Sequence, residues 1–206
     1  MVYPQITYGG AEIRTLKDDN ILWAKYLQDE EVKGIVQYLI KNNIYFSIEK
    51  DNYVFTPDGE RSFYKDAFIF KKIANVTLQK IPKIVVSCKT NKFSLTDLES
   101  IVSYLTENYK DVHVIKGKIG EYYGLDITAQ QATKHVSVLE YLRLLDLEPE
   151  EVVGVGDGFN DYPLLTACGM KAAMGNAPEE LKKIADFVAP TQEEDGIVTV
   201  IEKYFN

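Results

Sequence analysis

From Ala132 to Phe205 the chain alternates helix-like and strand-like segments. "ATKHVSVLEYLRLL" has helical spacing. "EEVVGVG" is a strand of near-continuous apolar character. "NDYPLLTACG" predicts a short helix ending at Gly169, and "KAAMG" a second strand. "PEELKKIA" predicts a helix with Pro178 in its first turn, "DFVAP" a third strand, and "EEDGIVTVIEKYF" a final helix. Strands apolar on both faces must be covered on both faces. Parallel strands also need long crossovers, which helices supply. The pattern therefore predicts an α/β fold with a partial doubly wound, Rossmann-like parallel sheet.

The middle of the chain has a different rhythm. "EEVKGIVQYLIKNN" places Val32, Ile35, Val36, Leu39 and Ile40 at helical spacing. "IYFSIEK" and "NYVFTP" follow as a predicted hairpin, and "KIVVSCK" as a strand. "SLTDLESIVSYLTENY" predicts a helix, with Thr96 and Glu99 spaced as a capping box. "DVHVIKG" and "EYYGLDIT" predict two more strands. Together these make an α+β unit, an antiparallel sheet with helices on one face. The stretch "PDGERSFYKDAFIFKKIANVTLQKIP" predicts loop with one short helix. Residues 1–12 and 128–206 read as one α/β core, with 13–127 inserted as a separate α+β domain.

Charge narrows the partners. Of the 206 residues, 31 are acidic and 23 are Lys or Arg, a net charge of −8. Nucleic acid needs clustered Lys and Arg, so that partner is not expected. The start "MVYPQITYGG" has no signal-peptide pattern, and no apolar run approaches a membrane span. The expectation is a cytoplasmic protein without a membrane partner, its two cysteines, Cys88 and Cys168, buried and reduced.

"GVGDGFNDYPLL" carries the chemistry. Ligands of an open parallel sheet bind beyond the carboxyl ends of its strands. "EEVVGVG" delivers Asp157 to such an end, with Asn160 and Asp161 opening the next helix. Two carboxylates and an amide are hard oxygen donors, suited to Mg²⁺ and not to zinc. The two histidines, His113 and His135, have no metal-ligand partner nearby in sequence. Mg²⁺ at a strand tip usually serves a phosphate. The alternative is that Asp157 and Asp161 only cap a helix.

These residues carry a resemblance. "VVGVGDGFNDYPLL" resembles the fourth motif of the haloacid dehalogenase superfamily, in its Cof-like phosphatase branch. "KAAMGNAPEELKKIADFVAPTQEEDGIVTVIEKYF" resembles that branch's C-terminal tail, and "DITAQQATKHVSVLEYL" its third-motif region. "PQITYGGAEI" resembles the strand and turn leading into its large cap, with Gly9 where the family usually has Asn. The resemblance implies a Mg²⁺-dependent phosphatase of a small phosphorylated metabolite, a sugar phosphate being one class; a phosphomutase is the related alternative. It implies that Asp157 holds Mg²⁺ directly or through water. Asp161 is the second acidic partner at the metal and orients the site. Asn160 donates to the phosphoryl group or to a neighbouring loop. Lys134 is the catalytic cation that neutralises the phosphoryl oxygens and pairs with the acidic residues. Asn176 is either a helix N-cap or a phosphate contact; Thr191 and Asp195 read as structural caps.

The family's nucleophile sits in an Asp-x-Asp-Gly-Thr stretch ahead of the segment that "PQITYGGAEI" resembles. Only Met1, Val2 and Tyr3 stand ahead of it here. Asp18 and Asp19 follow no apolar strand, and "TPDGE" lacks the second aspartate. The expectation is therefore a truncated or split phosphatase, inactive alone. Its partner would be a complementing N-terminal fragment or a second copy that completes the sheet. The alternative is a non-catalytic module that binds phosphate and metal. In the inserted domain, Arg61, Tyr64, Lys71 and Lys72 are weighed as contacts to an anionic substrate and read as solvated loop residues.

Overall fold

The structure is a computed structural model that describes residues 3–59, 69–89, 94–119 and 122–205. Its contacts divide the chain into two compact units, Met1–Thr133 and Lys134–Asn206.

The first unit opens with a small antiparallel sheet of β1 (Gln5–Thr7), β2 (Glu12–Arg14) and β3 (Ile21–Ala24), in that order. Ile6 lies opposite Ile13 and Thr7 opposite Glu12, across a turn at Tyr8–Gly10 where all three φ angles are positive. β1 finds its ladder partner in the adjacent β2 and clusters with this unit.

Then come α1 (Asp29–Lys41), β4 (Phe46–Lys50) and β5 (Tyr53–Thr56). Helix α1 buries Val32, Ile35, Val36 and Leu39 on one stripe. Its first turn holds Asp29, Glu30 and Glu31 and its last Lys41, each sign at the favourable end of the helix dipole. Asp51 and Asn52 join β4 to β5 with φ of 50° and 62°, the two-residue hairpin turn whose twist matches the strands.

β6 (Ile69–Lys72), β7 (Lys83–Lys89), α2 (Leu95–Asn108), β8 (Val112–Ile119) and β9 (Tyr122–Ala129) complete the unit. The six strands run β6-β5-β4-β7-β9-β8. All pairs are antiparallel except β5 with β6, which is parallel. That strand corrects the expectation of loop there, while the short helix expected in this segment is the single 3₁₀ turn Ile73–Asn75 that follows it. Four residues of "IFKK" on a sheet edge show no alternation, so pairing and not pattern makes the strand. Residues 60–68 of that segment lie outside the described residues.

A second correction concerns the start of α2. Its cap is Ser94, whose Oγ accepts from the Asp97 N–H at 3.1 Å, while the Asp97 carboxylate accepts from the Ser94 N–H at 2.7 Å. The box is the predicted motif displaced by two residues from Thr96 and Glu99. One face of the sheet presents Phe46, Ile48, Phe55, Ile84, Val86, Leu125 and Ile127 to α1 and α2, with Leu98, Ile101 and Leu105 from α2. The helices thus lie on one face, as expected.

The second unit runs α3 (Lys134–Leu145), β10 (Val153–Gly156), α4 (Tyr162–Ala167), β11 (Met170–Ala173), α5 (Glu179–Ile184), β12 (Phe187–Val188) and α6 (Gly196–Phe205). β10, β11 and β12 form a parallel sheet in that order, with Gly156 opposite Ala173. Successive residues of β11 serve opposite cores. Ala173 packs with Leu165, Ala177 and Leu181 from the α4 and α5 side, and Ala172 with Met174, Ala189 and Val200 from the α6 side. Burial on both faces is the doubly wound arrangement that the alternation predicts.

Candidate active site

β10 ends on Gly156 and turns at once into Asp157, Gly158 and a 3₁₀ turn, Phe159–Asp161. A Cβ on Gly156 would stand 2.6 Å from the Asp161 Cβ, so glycine is what lets the turn fold back so closely. The fold-back buries Asp161 to 8% exposure.

Three donors converge on the Asp161 carboxylate. Its Oδ2 accepts from the backbone N–H of Asp157 at 3.0 Å and of Gly158 at 3.1 Å. Its Oδ1 accepts from Lys134 Nζ at 2.5 Å. Burial alone pushes this carboxyl up, but the Lys134 ammonium and the two N–H groups outweigh burial and hold it below the usual aspartate range. Lys134 is the first residue of α3, an end of a helix where a cation is disfavoured. Asp161 is the anion that offsets this cost.

Asp157 is held differently. Its Oδ2 accepts from Gln192 Nε2 at 2.5 Å. Among the described residues no protein donor reaches its Oδ1. Gln192 stands in a 3₁₀ turn, Gln192–Glu194, capped by Thr191, whose N–H and Oγ1 donate to Glu194 Oε2 at 3.0 and 2.8 Å. A cleft of about 330 Å³ opens at these strand ends, lined among others by Gly156, Asp157, Asp161, Met174, Gln192 and Asp195.

Lys134 thus pairs with Asp161, and Asp157 meets Asp161 through its backbone N–H. Asn160 is exposed beside them. Asn176 is exposed too, and it is not the N-cap of α5: that position is Pro178, two residues on. Thr191 is the structural cap expected. Asp195, in the left-handed region at φ 56°, ends the same turn and also lines the cleft.

Gln192 escaped the sequence reading. It lies 35 residues from Asp157, and its only signal was a polar run just beyond the last strand. The rejected aspartates all serve the first unit's turns or ion pairs: Asp18 binds Thr15 and Asn20, Asp19 pairs with Arg14 at 2.6 Å, and Asp58 accepts from Thr56 Oγ1 at 3.0 Å. His135 Nδ1 lies 3.1 Å from Thr166 Oγ1. Lys71 Nζ sits 3.1 Å over the Tyr53 ring, while Arg61 and Tyr64 lie outside the described residues.

As a cation site the donor set is sparse. No group of three or more His, Cys, Asp or Glu able to hold a metal is present among the described residues. The donors it has are carboxylate oxygens, the chemistry that Mg²⁺ prefers, and Mg²⁺ commonly keeps several waters. Asp157 fits; Asp161 already has both oxygens engaged.

A sequence model of the haloacid dehalogenase-like hydrolases matches residues 2–201. A phosphoglycolate phosphatase of Methanopyrus kandleri is 35% identical over 81 residues, which cover 39% of this chain and 35% of that one. The chain therefore matches about a third of that relative's length. The 5-amino-6-(5-phospho-D-ribitylamino)uracil phosphatase YwtE of Bacillus subtilis is 23% identical over 88% of this chain and 72% of its own. Among solved structures, a haloacid dehalogenase-like hydrolase from Bacteroides thetaiotaomicron superposes with a TM-score of 0.79 at 22% identity, covering 98% of this chain and 76% of that one.

Proposed function

The chain belongs to the haloacid dehalogenase-like hydrolase family, and we propose that it serves a Mg²⁺-dependent phosphatase of a small phosphorylated metabolite, a sugar phosphate, as the part that recognises cation and phosphate. The observation that carries this reading is the convergence of Lys134, Asp161 and Asp157 at the carboxyl end of parallel strand β10. The Bacillus relative's phosphoribityl compound belongs to the same broad substrate class.

In this proposal Lys134 meets the phosphoryl oxygens, its ammonium oriented by Asp161. Asn160, exposed on the same turn, donates to the phosphoryl group or steadies the loop. Asp157 holds Mg²⁺, which when bound spreads the phosphoryl charge and adds to the electrostatic stabilisation that dominates such transfers. Residues 13–127 are the cap, and the protein works in the cytoplasm. No described helix is long and apolar enough to cross a membrane.

The nucleophile comes from a complementing segment in this reading. Asp18, Asp19 and Asp58, bound up in the first unit, support that, and so does β10. It is an edge strand, with β11 its only partner among the described residues. On α6, Ile197, Ile201 and Phe205 form one stripe at 47%, 50% and 65% exposure. An unpaired strand edge favours a strand-bearing partner over a self-sufficient binding module.

The test is an assay on a panel of sugar phosphates with Mg²⁺. The chain alone should be silent. Adding a segment with an Asp-x-Asp-Gly-Thr strand should produce turnover, and Lys134→Ala should remove it. Turnover by the chain alone, abolished by Asp157→Ala, would sink the complementing nucleophile.

A further inference from the structure

We propose that Gln192 is a positioning residue for Asp157: it occupies Oδ2 and so leaves Oδ1 as the oxygen for a divalent cation. The proposal rests on the reading of Asp157 as the cation ligand.

A carboxylate only accepts, so the contact at 2.5 Å is donated by the NH₂ end of the glutamine. That amide is not on a free loop. The turn carrying it is closed at its start by the Thr191–Glu194 capping box and at its end by Gly196 N–H donating to Thr191 O at 3.0 Å. A Cβ on Gly196 would lie 2.1 Å from Pro190 O, so the loop closes only with glycine there.

The turn is also tied to the sheet. Ala189 N–H donates to Ala173 O at 2.8 Å and Gly175 N–H to Pro190 O at 3.1 Å. Ala173 is in register with Gly156, the residue before Asp157. A continuous path of hydrogen bonds therefore sets where the Gln192 amide meets the carboxylate.

The choice of donor matters. Lysine or arginine at this place would neutralise Asp157 and repel a cation. A glutamine amide restrains the carboxylate and leaves its charge intact. Asp161, by contrast, has one oxygen on Lys134 and the other on two N–H groups. The two carboxylates are thereby assigned different work. Asp161 organises the loop and the lysine, and Asp157 keeps one oxygen for a hard cation.

Partners that orient a metal ligand are typically worth about 10- to 100-fold in metal affinity. The test is a titration of the full chain with Mn²⁺, followed by electron paramagnetic resonance, with a parallel ¹H–¹⁵N spectrum of the metal-free protein. Gln192→Ala should weaken binding by about 10- to 100-fold, while the amide signals of Thr191–Gly196 keep their positions. Gln192→Asn, with the same amide on a shorter arm, should recover part of the loss. If Asp157→Ala abolishes binding but Gln192→Ala leaves it unchanged, the role of Gln192 is overturned and the cation site stands. If Asp157→Ala binds Mn²⁺ like the wild type, both fall. If Gln192→Ala loses affinity together with the amide signals of its turn, the residue is structural and the positioning role is overturned.

Discussion

Asp161 takes up three donors at 8% exposure, and its acidity follows from them. A carboxyl held below its ordinary value contributes stability that is present above the unfolded value and lost as pH falls through the folded one. The window therefore opens below about pH 3.9, the ordinary aspartate value. Asp161→Asn should cost about 1.5–3 kcal/mol at pH 7, the worth of hydrogen bonds to a charged group. Below about pH 3.9 the variant should lose less further stability than the wild type. Urea unfolding followed through the amide signals of residues 154–161 checks both parts. An equal acid loss in the two proteins would show that other carboxylates govern this unit. The motif was readable because its glycines and acids are contiguous, so the local turn and the candidate site coincide. Gln192 was not readable, because nothing local distinguishes it from a solvated loop residue.

At the scale of elements, periodicity was a good guide to the long helices and a poor one to edges. α1 and α2 carry apolar stripes that only a helix can bury. β6 has four residues and, among the described residues, a partner on one side, so it exists through its parallel pairing with β5. The α2 cap separates two readings of one sequence. "SLTD" and "TDLE" both have the capping-box spacing, and the helix begins one residue after Ser94. Ser94→Ala should cost about 1 kcal/mol of the first unit's stability. Thr96→Ala, inside the exposed first turn, should stay within about 0.5 kcal/mol of wild type. Thermal melts of the two variants decide. A larger loss for Thr96→Ala would restore the box at Thr96–Glu99.

For the whole molecule, the division by contacts has a thermodynamic consequence. The large apolar core of the first unit lies within Met1–Thr133. Ile84, fully buried there, should cost about 2–5 kcal/mol when replaced by alanine. That loss should appear in the amide signals of the first unit while those of Lys134–Phe205 persist. A fragment of residues 1–133 should also give a dispersed spectrum overlapping that unit in the full chain. A collapsed fragment would mean the unit depends on the rest of the protein. The alternation after Ala132 determined the doubly wound sheet, because a strand apolar on both faces has no other stable environment. The glycine-acid turn determined where the candidate site would sit, because strand ends are where such turns are exposed. Tertiary structure alone decided the order of the six strands, the parallel edge at β6 and the meeting of Gln192 with Asp157. Periodicity states which face of an element is buried, but not which element covers it. A hydrogen bond between side chains 35 residues apart exists only once the strands beneath both loops have taken their register.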